Sequence, residues 1–302
     1  MKPIAESELI LNTDFSVYHL QLHESEIADT IITVGDPSRV REVSKHFDKI
    51  EVKKQNREFV THTGIIGKKR ITVISTGIGP DNIDIVLTEL DALVNVDLKT
   101  RLIKKEKKSL RIIRVGTSGA LQADIPVDSF VASSFGLSLD NLLYFYQPKL
   151  TKKEINIANE FSKQVLNIDS KIHPIVITAS DELIKLFSTT ESDKLKTQES
   201  GIRSGITVTC PGFYGPQGRV VRNKLAYPNL IDNLNTFQFN KLSITNFEME
   251  TSAIYGMARL MGHQALSLNA IVANRVLKQF SKNGHKAVQE LIVLALDKIC
   301  NS

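Results

Sequence analysis

Residues 111–120, with the sequence RIIRVGTSGA, constrain the fold of this chain more than any other stretch. The β-branched side chains of Ile112, Ile113 and Val115 are typical of a central strand that is covered on both faces. A strand of this kind needs helices packed on either side of the sheet. The stretch therefore favours an α/β fold built around a buried sheet.

Two glycines end this stretch and predict that the strand runs into a tight turn. Gly116 and Gly119 can turn without a Cβ penalty, and successive N–H groups beside the hydroxyls of Thr117 and Ser118 would form a concave anion seat. Arg114 does not fit an ordinary core strand, since a guanidinium is almost never fully buried without a partner. From these residues alone two interpretations stay open: an anion site, or a strand-end arginine that reaches solvent beside glycines that only make a turn.

The order of strand, glycine turn and helix recurs twice upstream. Residues 31–34 lead through Gly35 into a predicted helix over 40–47, and residues 69–75 lead through a Gly-Ile-Gly turn into a predicted helix over 83–93. Such turns present backbone N–H groups and the positive end of a helix to an anion, and Arg39 adds a charge to the first of them. The alternative is an ordinary connection with a surface arginine.

The remaining elements follow from periodicity and β-branched runs. Predicted strands cover residues 57–64, which form a hairpin with 69–75, then 127–134, 175–178, 206–210 and 265–275. Predicted helices cover residues 152–165, 182–187, 252–261 and 285–296.

The loop after residue 210 combines an aromatic ring, an amide and a guanidinium. Phe213, Gln217 and Arg219 are the side chains usually used to hold a flat heterocycle by stacking and by hydrogen bonds to its edge. An ordinary Gly/Pro-rich surface loop would not explain the polar pair. The loop therefore favours a binding function.

Two carboxylates, Glu248 and Glu250, precede the predicted helix over 252–261. They suit either of two roles. One is an N-cap with acids in the first helical turn. The other is a pair of acceptors for vicinal hydroxyls, because a carboxylate offers several lone pairs to a diol.

Composition excludes several classes of protein. The chain has 302 residues, of which 42% are hydrophobic and 24% charged, values typical of a soluble globular protein. No apolar run reaches membrane-spanning length and the N-terminus has no apolar signal core, so we expect a cytoplasmic protein. Cys210 and Cys300 lie far apart and have no histidine at a zinc-binding spacing, which indicates neither a disulfide framework nor a metal site.

The net charge of +5 does not by itself indicate nucleic-acid binding. Much of the excess lies between Lys99 and Arg111, in a segment without the interleaved aromatic residues that stack on bases. We therefore interpret residues 97–110 as a basic surface insertion, either helix or loop, and expect partners that are neither nucleic acid nor membrane.

Six segments, in this order, resemble the nucleoside phosphorylase family, whose members include uridine phosphorylases and purine nucleoside phosphorylases. They are residues 35–39 (GDPSR), 57–59 (REF), 75–79 (STGIG), 114–119 (RVGTSG), 213–219 (FYGPQGR) and 247–250 (FEME). The resemblance implies that residues 1–302 form a single α/β domain with a mixed, barrel-like central sheet flanked by helices. It also implies reversible cleavage of an N-glycosidic bond by inorganic phosphate as co-substrate, with no cofactor required.

The resemblance assigns roles to residues of this chain in three groups. Phosphate ligands would be Gly35, Arg39, Arg114 and Thr117, with Arg57 supplied by a neighbouring subunit. Ribose ligands would be Met249 and Glu250, with His19 of the neighbour on the 5′-hydroxyl. The base pocket would be Phe213, Gln217 and Arg219 over a floor of Ser118 and Gly119. Arg114, Glu250 and Arg219 would be the catalytic residues.

A pyrimidine is the favoured base. Purine-specific relatives place an aspartate near the end of the last strand, whereas this chain has Asn274-Arg275 there, as uridine phosphorylases do. We therefore expect uridine phosphorylase activity. Two alternatives are a purine or broad-specificity phosphorylase and a nucleosidase on the same fold. A non-catalytic nucleotide-binding protein is less favoured. A dinucleotide-dependent dehydrogenase is also less favoured, because the G-x-G-x-x-G spacing is missing.

Two ligands from a neighbour imply a homodimer at least, and possible assembly into a hexamer stays open. The family's monovalent-cation site at the subunit interface would correspond to Glu58 and Ile78. The residues that follow Gly79, Pro80-Asp81-Asn82, depart from the family pattern at that place.

Overall fold

One large mixed β-sheet with helices packed around it organises the computed structural model, which describes residues 2–166, 170–187 and 202–302. The α-helices in these ranges are α1 Pro37–Ser44, α2 Pro80–Asn95, α3 Lys152–Gln164, α4 Asp181–Phe187, α5 Leu230–Thr236, α6 Thr251–Met261 and α7 Gly284–Cys300. The strands are β1 Thr30–Val34, β2 Lys49–Asn56, β3 Phe59–Ile66, β4 Lys69–Ser75, β5 Val96–Asp97, β6 Leu102–Ile103, β7 Arg111–Ala120, β8 Phe130–Ser138, β9 Ile175–Thr178, β10 Arg203–Thr209, β11 Gln238–Phe239, β12 Leu242–Glu248, β13 Gln264–Asn274 and β14 Gln279–Phe280. Short 3₁₀ helices lie at Glu24–Glu26, Leu142–Phe145 and Gly215–Gln217.

Five strands of this sheet close into a ring. β7 pairs in parallel with β13 and, at its carboxyl end, antiparallel with β12. β12 pairs with β10, β10 with β8, and β8 with β13, which completes the ring. β1, β4, β3 and β2 then extend the sheet outward from β7. The prediction of a single α/β domain with a mixed, barrel-like sheet is confirmed.

β7 is a central strand, as its sequence predicts. Ile112 and Ile113 point to opposite faces because side chains alternate along a strand, yet both are buried. α2 packs on α6, and α7 lies against β13 and β7. Helices therefore cover the sheet around β7, and the core extends across both faces.

The predicted turn at Gly116–Gly119 is wrong, because β7 continues as a strand through Ala120. Neither glycine has a positive φ; the glycines that do are Gly67, Gly77, Gly79, Gly218 and Gly262. The alternative of a strand-end arginine reaching solvent is also wrong, since Arg114 is only 6% exposed. Gly116 serves another purpose, described with the site below.

Most other predicted elements are present within a few residues of their expected bounds. The hairpin of β3 and β4, the helices α2 and α3, and the strand β9 all form where predicted. β12 was not predicted, and its buried polar residues Thr245 and Asn246 explain why, since they hide the apolar alternation of a strand.

The basic segment is not helical. β6 pairs antiparallel with β5 as a short ladder, and an exposed loop leads from there to β7. Lys104 and Lys108 make ion pairs with Glu24 at 2.8 Å and Asp29 at 2.6 Å. Part of the positive charge is thus neutralised within the chain. Among the helices in the described ranges, none combines the length and the apolar character needed to cross a bilayer.

A buried ion pair fixes α3 against α6 and makes stability acid-sensitive. Glu154 is fully buried and accepts hydrogen bonds from Arg259 at 2.7 and 3.0 Å and from the Thr178 N–H at 2.6 Å. Burial alone would raise the pKa of Glu154, but the hydrogen bonds from Arg259, Thr178 and Thr151 outweigh it and hold the pKa at about 2.

Because its folded-state pKa lies below the unfolded value, Glu154 contributes stability above about pH 4.5 and loses that contribution as the pH falls toward 2. We expect Glu154→Gln to lower the free energy of unfolding at neutral pH by about 3 kcal/mol, at 1.36 kcal/mol per pKa unit. The variant should also show a flatter loss of stability in acid than the parent, as measured by urea unfolding. Glu160→Gln, at a half-exposed position of the same helix where the carboxylate contacts Lys163 and Gln164, should stay much closer to the parent; an unchanged acid profile in Glu154→Gln would contradict the assignment.

Candidate active site

The predicted phosphate ligands Gly35, Arg39, Arg114 and Thr117 lie on or just after neighbouring parallel strands. β1 pairs in parallel with both β4 and β7, and Thr33 is aligned with Arg114. The loops that follow β1 and β4 therefore meet at one edge of the sheet. A Cβ atom on Gly35 would lie 3.4 Å from the Gly77 carbonyl oxygen.

Arg114 is held by two carboxylates. Its Nη2 lies 2.6 Å from Glu250 Oε2 and 3.2 Å from Glu248 Oε2, while Nη1 donates to Asn269 Oδ1 at 2.9 Å. Burial acts to lower the pKa of Arg114, but the charges of Glu248 and Glu250 outweigh it and raise this pKa above its ordinary value. The guanidinium is thus a fixed cation at the centre of the site.

Gly116 makes room for this guanidinium. Arg114 and Gly116 lie on the same face of β7, two residues apart, and a Cβ atom on Gly116 would lie 1.9 Å from Arg114 Nη1. The glycine of the motif is therefore required by a neighbouring side chain and not by a turn.

Gly116→Ala should therefore displace Arg114 from Glu250. We expect overpacking to lower the free energy of unfolding by about 1–3 kcal/mol, together with a loss of catalytic activity once an assay is established. Gly119→Ala is the matched control for stability, because its Cβ would meet its nearest neighbours at 3.5–3.6 Å, an ordinary contact distance. Equal urea midpoints for the two variants would contradict this account of Gly116.

Of the two carboxylates, Glu248 takes the capping role that the sequence left open. Glu248 caps α6, accepting from the Thr251 N–H at 3.0 Å and the Glu250 N–H at 2.9 Å. Glu250 accepts from the Gly79 N–H at 2.9 Å and from Arg114. Burial raises the pKa of Glu250, opposed by Arg114 and reinforced by Glu248. Glu248 is structural, and Glu250 links β7, the loop before α2 and the start of α6.

Arg39 is a second cation near Arg114, and most of its donors have no hydrogen-bond partner among the described residues. Its Nη1 makes one long hydrogen bond, 3.4 Å, to the Val115 carbonyl. Burial and the charge of Arg114 both lower the pKa of Arg39. A cavity of about 470 Å³ is lined by Arg39 and Thr117. A partly buried guanidinium with open donors, beside a second one, is suited to an anion.

Phe213, Gln217 and Arg219 lie together, as predicted. Arg219 lies over the Phe213 ring with its guanidinium carbon 3.8 Å from the ring centre, and it donates to Gln217 Oε1 at 2.6 Å. Gln217 is buried, whereas Phe213 is half exposed. The ring, the amide and the guanidinium thus form one cluster.

Arg275 joins this cluster and was missed as a site residue. Its Nη1 donates to the Gln217 carbonyl at 3.0 Å, and its Cγ would lie 3.5 Å from a Cβ on Gly119. Burial and the charge of Arg275 lower the pKa of Arg219. The Asn274-Arg275 pair at the end of β13 was the feature of the sequence that could have identified Arg275. Only Arg275 reaches the cluster, because Asn274 donates to the carbonyls of Gln122 and Ile125.

Ser118 and Gly119 lie beside this cluster on β7. Gly119 is paired with Phe247 of β12, and Ser118 Oγ lies 2.8 Å from Asn246 Nδ2. Met249 is half-buried between the two carboxylates.

His19 and Arg57 lie near one another, on the segment before β1 and at the β2–β3 turn. His19 Nδ1 lies 2.6 Å from Glu89 Oε1, so Nδ1 carries a proton and Nε2 is left for another partner. Asn56 donates to the His19 carbonyl at 2.8 Å, next to Arg57, which is exposed at the β2–β3 turn. Within the described ranges no hydrogen bond or ion pair joins either residue to Arg39, Arg114 or Glu250.

Neither cysteine has the environment of a reactive thiol. Burial raises the pKa of the Cys210 thiol and also that of the Cys300 thiol. Among the described residues, no three His, Cys, Asp or Glu side chains cluster in a way that could hold a metal ion. At the place of the family's cation site, Asn82 donates to Glu58 Oε1 at 3.2 Å and Ile78 is exposed.

Comparison with known proteins gives the same family along most of the chain. A family model described as the phosphorylase superfamily matches residues 29–300. A uridine phosphorylase of Thermococcus kodakarensis is 29% identical over 275 residues, which cover 89% of this chain and 81% of that protein. A DeoD-type purine nucleoside phosphorylase of Listeria monocytogenes is 26% identical over 251 residues, covering 83% and 84%.

A solved structure agrees with the fold. The crystal structure of a Trypanosoma brucei nucleoside phosphorylase, described as showing uridine phosphorylase activity, superposes with a TM-score of 0.87 at 29% sequence identity. The superposition covers 97% of this chain and 100% of that chain.

Proposed function

Since the chain belongs to the phosphorylase superfamily, we propose that it catalyses reversible phosphorolysis of a pyrimidine nucleoside, converting uridine and phosphate to uracil and ribose 1-phosphate. The observation that carries the proposal is Arg39, a partly buried guanidinium with open donors beside Arg114 and its carboxylate Glu250. An anion on Arg39 would lie next to an acceptor for sugar hydroxyls. Phosphate and ribose are the two groups that the reaction has to hold together.

Phosphate binding rests on charge. Arg39, Arg114, the Thr117 hydroxyl and the Gly35 N–H form the trap within one chain, and Arg57 adds a charge from a neighbouring subunit. Phosphate carries close to two negative charges near neutral pH, and several charge-assisted hydrogen bonds are suited to an anion of that charge. The bound anion also relieves the repulsion between the Arg39 and Arg114 guanidinium groups.

Bond cleavage then needs no covalent intermediate on the protein. Met249 and Glu250 hold the ribose, with His19 of a neighbour on the 5′-hydroxyl. As the C1′–N1 bond breaks, its electron pair leaves with the base, and the oxocarbenium-like ribose is stabilised by the phosphate dianion. A phosphate oxygen then forms the new bond to C1′.

The leaving base carries the negative charge, and the cluster of Arg219, Gln217 and Arg275 is suited to accept it. Phe213 and Gly119 border the plane of the ring. β13 ends at Asn274, followed by Arg275, where purine-specific relatives have an aspartate that can protonate N7. We therefore favour uracil as the base.

Base release from uridine, thymidine, cytidine, inosine and adenosine, each with and without phosphate, tests the proposal. We expect uracil only from uridine and only with phosphate. Turnover of inosine with uridine inert would replace it with a purine phosphorylase, and release without phosphate would make the protein a nucleosidase. No release from any nucleoside would contradict an enzymatic role.

The smallest active unit should be a homodimer, because the family resemblance takes His19 and Arg57 from a neighbouring subunit, and within the described ranges no hydrogen bond or ion pair joins either residue to Arg39, Arg114 or Glu250. Co-purified mixed dimers of an Arg57→Ala chain and an Arg219→Ala chain should recover activity that neither homodimer has, since one of the two mixed sites is intact. Full activity in a verified monomer would contradict this. Assembly of dimers into a hexamer and a cytoplasmic location stay predictions.

A further inference from the structure

The cavity beside Arg39 has an outer part that the proposed reaction does not use. It measures about 470 Å³, more space than one phosphate ion needs, and its lining includes Arg39 and Thr117, both only partly exposed. The lining also includes exposed residues, which we call the rim: Asp36, Ser38, Phe280, Lys282 and His285. The cavity therefore leads from solvent at the rim to two of the proposed phosphate ligands.

The cavity is separate from the groups that are proposed to hold the nucleoside. Within the described ranges, its lining includes neither the ribose ligands Met249 and Glu250 nor the base cluster of Phe213, Gln217 and Arg219. It lies instead between α1 and the segment that leads from the end of β13 into the first turns of α7. A phosphate ion at the rim can thus reach Arg39 without passing the place of the nucleoside.

Lys282 is the unpaired charge of the rim. It is exposed, and no hydrogen bond or ion pair holds its ammonium group within residues 2–166, 170–187 and 202–302. An ammonium group has three donors and no acceptor. Lys282 can therefore bind an oxyanion without first breaking a contact within the described part of the chain.

Two carboxylates also line the cavity, and both already face a cation. Asp36 caps α1 by accepting from a backbone N–H at 2.8 Å, which together with the charge of Arg39 lowers its pKa. Glu42 lies 2.9 Å from Lys45 Nζ, and the hydrogen bond from Lys45 lowers the pKa of Glu42. The two acids therefore do not cancel the charge of Lys282.

We propose that the rim is the entrance for inorganic phosphate, and that Lys282 holds the ion in an outer site before it moves inward to Arg39 and Thr117. The charge of Lys282 attracts a dianion over about 8 Å, the Debye length at physiological ionic strength. No bond is made or broken in this step. The proposal deepens the proposed function and rests on it, since it assigns a route to the phosphate of that reaction.

A separate entrance lets phosphate bind while the nucleoside is in place. If phosphate had to pass the place of the nucleoside, excess uridine would block it, and the rate at low phosphate would fall as uridine rises. We expect uracil release at low phosphate to rise to a plateau with uridine instead. Inhibition by excess uridine that added phosphate relieves would overturn the separate entrance.

Lys282→Gln tests the outer site. We expect it to lower kcat/KM for phosphate about two- to fivefold at low ionic strength, the range of one exposed ion pair, with kcat at saturating phosphate unchanged. The loss should disappear at high salt, because mobile ions screen an exposed charge. Lys286→Gln is the matched control, since Lys286 is exposed in the first turn of α7, lies 3.7 Å from Glu290 and does not line the cavity. Equal effects of the two substitutions, or a loss that salt does not change, would overturn the outer site.

Phosphate binding without turnover keeps this test apart from the proposed function. A ligand that binds only the folded state raises Tm by mass action, and ions at the outer and inner sites both contribute. At constant low ionic strength, Lys282→Gln should need about two- to fivefold more phosphate than the parent for the same rise in Tm. Lys286→Gln should match the parent, and Arg39→Gln should show little rise.

The parent decides between the outcomes. If phosphate raises its Tm but it releases no base, the proposed function fails, and the comparison of Lys282→Gln with Lys286→Gln still decides the outer site. The same phosphate dependence of Tm in those two variants overturns the outer site. No rise of Tm in the parent overturns both proposals.

Discussion

Arg39→Gln should lower kcat/KM for phosphate about 100- to 1000-fold, as expected for a lost charged donor at a developing ion pair, while the urea unfolding midpoint stays that of the parent. The physical reason is that, within the part of the chain that the structure describes, Arg39 contributes one long hydrogen bond to the fold and its other donors have no partner. The variant should lose efficiency toward phosphate, whereas its KM for the nucleoside should change far less.

Arg41→Gln is the matched control, since Arg41 is exposed on the same helix, α1. It should leave both activity and stability near those of the parent. An equal loss toward phosphate and nucleoside in Arg39→Gln, or a clear fall in its stability, would contradict the assignment of Arg39 to the anion.

Arg114→Met should abolish activity and also lower the free energy of unfolding by about 3–5 kcal/mol, the cost of leaving buried charges without their partner. Glu248 and Glu250 would lose the cation that faces them at 3.2 and 2.6 Å. The Arg39→Gln and Arg114→Met variants are therefore expected to differ sharply in their free energy of unfolding, although both arginines bind phosphate in the proposed mechanism.

Two measurements distinguish the effect of the lost ion pair on the stability of Arg114→Met from the effect of changed packing. Adding Glu250→Gln to Arg114→Met should recover part of the stability and none of the activity. The single variant should also gain stability as the pH falls, because removal of Arg114 raises the folded-state pKa of Glu250 further above its unfolded value and the native state then binds the extra proton. Stability of Arg114→Met equal to that of the parent would contradict the role of Arg114 as counterion.

Much of the site could be predicted from the sequence because its residues lie in short segments with a fixed order. Gly35, Arg39, Arg114 and Thr117 come together since the parallel pairing of β1 with β7 brings their segments to one edge. Gln217 and Arg219 lie in one loop and meet locally. Once the order of the strands in the sheet is known, the residues that meet at its edge can be inferred.

The rest depends on contacts that no local pattern shows. Gly116 looks like a turn residue, but the bulk of Arg114 is what requires it. Glu248 and Glu250 are the same residue type two positions apart, and only the path of the chain into α6 decides which of them caps the helix. Arg275 reads as a strand-end arginine until Gln217 is placed beside it.

The late position of β12 in the chain bears on how the protein is made. β7 is complete at residue 120, yet the strand that pairs with its end and with β10 begins at Leu242. During synthesis both edges stay open until the last quarter of the chain emerges, and contacts so distant in sequence form slowly. β12 delivers Glu250 to Arg114 as it pairs with β7, and the ring closes only when β13, which follows in the chain, pairs with β7 and β8. A chain that stops short of β12 would expose unpaired strand edges and lack Glu250.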